Sequence, residues 1–228
     1  MSASLWRFTR WIVTVVWIVA GAGLAVATAL ELRPYWLVLP TPPEVTHDLT
    51  VKDAPDLAGL RMSFRILLFS DEFRWRMNSY DAIEDRTAHP QFTDEMKAVL
   101  NSAEEIICVG ASSEEIPPGV GPDRGRAQEE WRAGRRAEQI AKWVREAISR
   151  PIPVRKLNVG HHAPTRAARD TSDQRRVVII LVLKHDEGAN MDQSLRSAMA
   201  GEVVRAPIFE SLLTNYSLAA GETFSWVP

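Results

Sequence analysis

IICVGASSEEIPPGVGPDRGRAQEEWRAGRRAEQIAKWV, residues Ile106–Val144, is the stretch that decides the fold. It begins within a short apolar run, Glu105–Gly110, that is rich in β-branched residues and predicts a buried strand. Beyond a loop containing Pro and Gly, apolar residues recur at three- and four-residue spacing from Ala133 to Ile148. This spacing predicts an amphipathic helix. A strand that leads into a helix indicates a domain in which helices pack on a sheet.

Further segments complete the predicted domain on both sides of this stretch. The apolar pattern of Leu60–Ser70 predicts a first strand, and Thr93 offers the N-cap of a helix that ends near Ala103. After the long helix, PVRKLNVG (153–160) predicts a third strand. Arg175–Lys184 predicts a fourth, and its unbroken apolar centre indicates burial on both faces. The predicted fold is α/β, with the order β-α-β-α-β-β and helices packed on a mixed sheet.

A membrane-spanning helix is predicted near the N-terminus. Residues Trp11–Leu30 carry no charge, and the run is about as long as a helix needs to cross roughly 30 Å of hydrocarbon. Arg7 and Arg10 precede the run and only Arg33 follows it closely, so the positive-inside rule predicts a cytoplasmic N-terminus and an exported remainder. Aromatic residues flank the run, as they do at membrane interfaces: Trp6, Trp11, Tyr35 and Trp36.

A cleaved signal peptide is the alternative interpretation of the same segment. Small residues at Ala25–Ala27 and Ala27–Ala29 have the pattern of a cleavage site. The apolar core is longer than the roughly 7 to 15 residues that signal peptides usually have, which favours a retained anchor. Both interpretations export residues 31–228.

The predicted organisation has five segments, separated by changes in composition. Prolines between Pro34 and Pro43 remove backbone donors and favour an extended spacer between the membrane and the domain. The segments are a cytoplasmic N-terminus (1–10), a transmembrane helix (11–30), a Pro-rich spacer (31–58), the folded domain (59–185) and a C-terminal extension packed on the domain (186–228).

Charge and motif content argue against several functions. The 228 residues include 27 Lys and Arg against 29 Asp and Glu, which gives no electrostatic reason for nucleic-acid binding. Cys108 is a lone thiol in an apolar strand and is predicted to be a core residue. His161 and His162 are adjacent, an arrangement that suits a single tetrahedral metal site poorly. No nucleotide-binding or nucleophile-elbow motif is present, so we predict no metal, no cofactor and no enzymatic activity.

Three parts of the chain resemble a known family. VGASSE, Val109–Glu114, stands where that family has a strand ending in Gly-His-Thr-Asp. Glu129–Val144 stands where it has Asn-x-x-Leu-Ser-x-x-Arg-Ala opening a long helix. Leu157–Pro164 and Asp173–Val182 resemble its Gly-x-Gly-x-x-x-Pro turn and its closing Asn-Arg-Arg-Val strand. The chain thus resembles, over about residues 60–184, the OmpA-like domain that binds peptidoglycan in bacterial envelopes.

The resemblance implies recognition of the diaminopimelate residue of a peptidoglycan stem peptide, which bears both a carboxylate and an ammonium group. Arg136 matches the helix Arg of the family, and an Arg can hold a carboxylate through two parallel hydrogen bonds. Ser113 occupies the position of the family's Asp, and Glu129 that of its Asn. Glu114 and Glu115 lie one and two residues beyond the Asp position and are expected to supply the missing carboxylate.

These expectations combine into one predicted function. The chain would be a single-pass protein of the bacterial inner membrane, with its N-terminus in the cytoplasm and its OmpA-like domain in the periplasm, attached noncovalently to peptidoglycan. The alternative is a degenerate OmpA-like module that serves protein–protein interaction, including self-association, in an envelope membrane complex. For the loop after Gly110, a plain solvated connection is the other interpretation.

Overall fold

The computed structural model describes residues 45–69, 73–84, 92–115, 119–163, 171–200 and 225–226. All of them lie in one compact unit that spans Pro42–Pro228. The predicted cytoplasmic segment (1–10) and the predicted transmembrane helix (11–30) lie outside the described residues. Among the helices of the described segments, none has both the length and the apolar character that a membrane crossing requires.

The domain is a mixed α/β structure. Its strands are β1 (Val45–Pro55), β2 (Arg61–Phe69), β3 (Glu105–Ser112), β4 (Val154–His161), β5 (Val178–His185) and the two-residue β6 (Ser225–Trp226). Its helices are α1 (Asp94–Asn101), α2 (Pro122–Ala147) and α3 (Met191–Ala200). The sheet has the order β1-β2-β5-β3-β4-β6, in which β3 and β4 are parallel and the other neighbours are antiparallel. The α/β class and the mixed sheet predicted from the sequence are confirmed.

The structure has one more strand at its start than the sequence predicts, because β2 (Arg61–Phe69) is the strand predicted as the first and β1 precedes it. Val45–Pro55, assigned from the sequence to the Pro-rich spacer (31–58), forms β1 and pairs with β2. The last of the clustered prolines is Pro43, so the backbone donors of the following residues are free to join the sheet. Two register shifts interrupt the pairing, as is common at sheet edges. The folded unit therefore includes part of the predicted spacer.

Both faces of the sheet are covered by apolar packing. One cluster places α1, α2 and the segment 73–83 against Leu67, Cys108 and Ile179 of the sheet. A second cluster on the other face includes residues of α3. Consecutive residues of β5 alternate between the two clusters, so the prediction that this strand is buried on both faces is confirmed. Near the C-terminus, β6 pairs antiparallel with β4.

Helix α2 lies directly against the backbone of β3 at Gly110. A β-carbon built on Gly110 would lie 1.9 Å from the carbonyl oxygen of Ala133 and 2.7 Å from the amide nitrogen of Ala137. Both atoms belong to the helix backbone and cannot rotate away. Gly110 and the neighbouring alanines therefore set the distance between helix and sheet.

We expect Gly110→Ala to lower the free energy of unfolding by about 3 kcal/mol or more, because the added methyl group overpacks a rigid backbone contact. Gly121→Ala is the matched control, since a β-carbon at exposed Gly121 meets nothing within 4 Å. Its effect should stay within about 1 kcal/mol, the scale of an N-cap exchange. Urea denaturation of the full-length chain measures both, and equal effects would contradict the close helix–strand contact.

Asp56 ties the β1–β2 turn to the start of α3. Its Oδ1 accepts hydrogen bonds from the amides of Ala58 and Leu60 at 2.8 and 2.9 Å, and its Oδ2 accepts one from the amide of Asn190 at 2.9 Å. The Asn190 amide is the largest influence on the pKa of Asp56, and together these donors lower that pKa although burial acts in the opposite direction. The carboxylate is thus part of the folded structure in its charged form.

Stability should depend on pH through Asp56. A folded-state pKa below the unfolded value of about 3.9 contributes stability above that value, and the contribution disappears as the pH falls through the folded pKa. Wild type should therefore be more stable than Asp56→Asn near neutral pH, and the difference should shrink below about pH 4. Urea midpoints of both proteins over this pH range test the effect. A difference that persists unchanged at the lowest pH would contradict it.

Candidate functional site

The predicted ligand-binding residues gather at the carboxyl ends of β3 and β4. Parallel strands end at the same edge of a sheet, and ligands of open α/β folds often bind there. β3 ends at Ser112, which pairs with His161 of β4, and the Ser112 carbonyl accepts a hydrogen bond from the amide of His162 at 2.9 Å. Ser113 follows at once and is 4% exposed. The location expected for the site is therefore present in the fold.

Glu129 forms a buried junction between α2 and the end of β3. One carboxylate oxygen accepts a hydrogen bond from the Ser112 hydroxyl, and the other pairs with the Arg132 guanidinium three residues along the helix. Glu129 is 1% exposed and Arg132 6%. A buried charge is tolerated when a partner and hydrogen bonds satisfy it, and both conditions hold here. Glu129 thus has both of its oxygens engaged inside the protein.

Arg136 is almost entirely buried, and its donors point at backbone carbonyls. The side chain donates to the carbonyl oxygens of Ala111 at 2.8 Å, Ser79 at 2.9 Å and Arg76 at 3.4 Å. The guanidinium carbon also lies 5.6 Å from the ring centroid of Trp75. Arg136 therefore fastens the segment 73–84 to the end of β3, using donors with which an Arg would hold a ligand carboxylate.

Glu114 and Glu115 are both held towards the short 3-10 turn that precedes β5. The amide of Glu114 donates to the side-chain oxygen of Gln174 at 3.0 Å. The carboxylate of Glu115 accepts a hydrogen bond from the Thr171 hydroxyl through Oε1, whereas its Oε2 is buried without a hydrogen-bond partner. The loop after β3 is thus fixed at its first residues by the segment before β5.

The histidines and Asn158 organise the neighbouring strand end. Nδ1 of His161 lies 3.2 Å from a carboxylate oxygen of Glu130, and Nδ1 of His162 lies 2.7 Å from the carbonyl oxygen of Ala163. Asn158 donates to the Glu130 carbonyl at 3.0 Å and accepts from the amide of Gly160. Each side chain has a structural partner nearby.

Metal-ligating residues do not cluster in the described part of the chain, and the one cysteine of the sequence is buried. Glu129 is paired inside the protein, and within the described segments no three His, Cys, Asp or Glu residues converge as metal ligands. Cys108 is a free, fully buried cysteine, and burial raises the pKa of its thiol, so the thiol stays protonated. Its predicted place in the core is confirmed.

Sequence reasoning missed two groups of residues. Arg132 is the ion-pair partner of Glu129, and their three-residue spacing on a helix was the available signal. On the outer side of α2, Trp131 is 55% exposed and meets Tyr80 edge to face, with ring centroids 5.4 Å apart. The Arg135 guanidinium carbon lies 5.4 Å from the Tyr80 centroid. An exposed Trp between charged helix positions was the only signal for this second group.

Glu129→Ala should lower the free energy of unfolding by about 3 to 5 kcal/mol, because it leaves Arg132 buried without its partner. The double variant Glu129→Leu/Arg132→Met should recover most of this loss, since it removes both charges and keeps apolar volume. Denaturant unfolding of the full-length chain measures both. A double variant no more stable than the single one would show that Glu129 does not act mainly through Arg132.

No family model, no curated protein and no solved structure matches the chain.

Proposed function

We propose that this domain is a non-catalytic interaction module that binds a protein partner in an envelope membrane complex. One observation carries the proposal: Arg136, the residue expected to hold a ligand carboxylate, is 1% exposed and donates to the backbone carbonyls of Ala111 and Ser79. A side chain used in this way contributes to the fold before any ligand arrives.

Freeing Arg136 for a stem peptide would carry an energetic cost. The carbonyls of Ala111 and Ser79 would lose their donor, and a buried polar group left unsatisfied costs about 1 to 3 kcal/mol. The segment 73–84 would also lose hydrogen bonds that attach it to β3. Ligand binding through Arg136 would have to offset both losses, which favours the interaction module.

The envelope setting of the proposal comes from the N-terminal sequence. The uncharged run Trp11–Leu30 supports a single membrane anchor in the bilayer, with the domain on the periplasmic side of the inner membrane. An anchor restricts the domain to a layer near the membrane surface, which raises the effective concentration of other envelope proteins around it. At a raised effective concentration, a surface of low affinity can still be occupied by its partner.

Noncovalent attachment to peptidoglycan is the second candidate, and one observation favours it. Oε2 of Glu115 is a carboxylate oxygen without a hydrogen-bond partner just beyond the carboxyl end of β3, and in open α/β folds ligands often bind at such strand ends. It is an acceptor suited to the ammonium of diaminopimelate. Glu115 would then provide the carboxylate that Ser113 does not.

Sedimentation with sacculi separates the two functions. The full-length chain in detergent micelles should remain in the supernatant with diaminopimelate-containing sacculi under conditions in which it is folded by circular dichroism. Glu115→Gln, which removes the negative charge of the carboxylate whose Oε2 has no hydrogen-bond partner, should behave identically. If wild type pellets and Glu115→Gln does not, peptidoglycan attachment is the function and the interaction module is wrong.

Chemical crosslinking in membranes gives the complementary measurement. Crosslinked full-length chain should yield adducts of defined mass that survive muramidase treatment and disappear with protease. Adducts that are lost after muramidase treatment would contradict the proposal, because they would consist of peptidoglycan.

A further inference from the structure

We propose that the surface formed by Tyr80, Trp131 and Arg135, called here the aromatic–arginine surface, binds an acidic segment of a partner protein. The inference rests on the interaction function proposed above and assigns that function to a place on the molecule.

Trp131 is unusually exposed to solvent for a tryptophan. Its side chain is 55% exposed in the middle of α2, whereas Trp is highly buried on average. Tyr80 packs against it edge to face at 5.4 Å, and Arg135, whose side chain is 47% exposed, lies over the Tyr80 ring. Trp, Tyr and Arg are the residue types enriched at the energetic centres of protein interfaces. The three therefore form a compact surface of the composition that partners bind.

This surface is held in place before any partner binds. Arg136 donates to the Ser79 carbonyl at 2.9 Å and so attaches the turn carrying Tyr80 to the helix carrying Trp131. The Ser79 hydroxyl closes the same turn by accepting from the amides of Asp81 and Ala82 at 3.2 and 3.0 Å. A fixed surface loses little conformational entropy on binding, which favours affinity.

The charge of the surrounding helix face selects an acidic partner. Helical spacing places Arg124, Arg135 and Lys142 in one line with Trp131, and all are exposed. Two carboxylates share this helix face: Glu138, which is half-buried and bonds to both Arg135 and Lys156, and exposed Glu146 one turn beyond Lys142. The ridge is therefore cationic, although the whole chain has a formal net charge of −2. Complementary charge on the partner would steer and orient binding.

The length of the cationic ridge suits an extended contact with a partner. From Arg124 to Lys142 the ridge is about 27 Å long at 1.5 Å per residue, enough to contact a helix or strand of a partner along its length. An acidic, partly apolar segment of another protein fits this surface best.

Site-specific photocrosslinking in membranes tests the inference. Full-length chain carries p-benzoylphenylalanine in place of Trp131 or, as the matched control, in place of Leu57, which is 89% exposed at the β1–β2 turn. The Trp131 position should give protein adducts whose crosslinked peptides, identified by mass spectrometry, are rich in Asp and Glu. The Leu57 position should not give them.

Reversing the charge of Arg135 provides a second test. Arg135→Glu in the Trp131 crosslinking background should reduce the adduct by about tenfold or more, as expected at the centre of an interface. Arg135→Lys keeps the positive charge and should reduce it far less. The urea midpoints of all full-length variants should agree with that of wild type, because the side chains of Trp131 and Arg135 are both exposed. Equal adduct yields from Arg135→Glu and wild type would overturn the assignment.

The outcomes also separate this inference from the proposed function. Protein adducts from Leu57 but not from Trp131 would leave the interaction module standing and overturn the aromatic–arginine surface. Trp131 adducts that consist of glycan or lipid, or of a second copy of the chain, would also overturn the acidic-protein partner. Absence of protein adducts at both positions, together with pelleting on sacculi, would overturn both proposals.

Discussion

The contact between α2 and β3 at Gly110 is the constraint on which the rest of the domain depends. The helix backbone approaches so closely that a single methyl group would meet the Ala133 carbonyl. Once the helix is fixed at this point, its rotation is fixed as well. Positions 129, 132 and 136 then face the end of β3, whereas positions 131 and 135 face solvent. The contact at Gly110 thus fixes the rotation of α2, so that the polar residues of one helix face are buried and the aromatic and cationic residues of the other face are exposed.

The inward face explains why charged residues behave as parts of the core. Glu129, Arg132 and Arg136 enter a region almost without solvent, where an unpaired charge is costly. Each finds partners in the protein: Glu129 pairs with Arg132, and Arg136 donates to backbone carbonyls. The resulting network fixes the turn at Ser79, and through it the ring of Tyr80 beside Trp131. The Arg136 guanidinium, which lies on the buried face of α2, therefore also helps to position Tyr80 on the exposed face.

Local patterns in the sequence predicted the elements whose hydrogen bonds are local or whose apolar period is clear. Thr93 accepts from the amide of Met96, as its N-cap role requires, and β5 is buried on both faces. The segment 73–84 resisted prediction because its backbone is paired with distant residues. The amide of Trp75 donates to the Arg175 carbonyl at 2.9 Å, and the Arg175 side chain donates back to the Trp75 carbonyl at 2.9 Å. No local periodicity encodes such a pairing.

The candidate site illustrates a different limit. The family resemblance implied a shared location for Ser113, Glu129 and Arg136, and in the structure all three lie at the carboxyl end of β3. The resemblance was not sufficient to say where the donors point, since Ala111 and Ser79 compete with any ligand for the same guanidinium. A binding residue must keep unsatisfied donors, whereas a structural residue uses them internally. Arg136 uses its donors internally, and the exposed side of the same helix is where groups suited to a partner remain accessible.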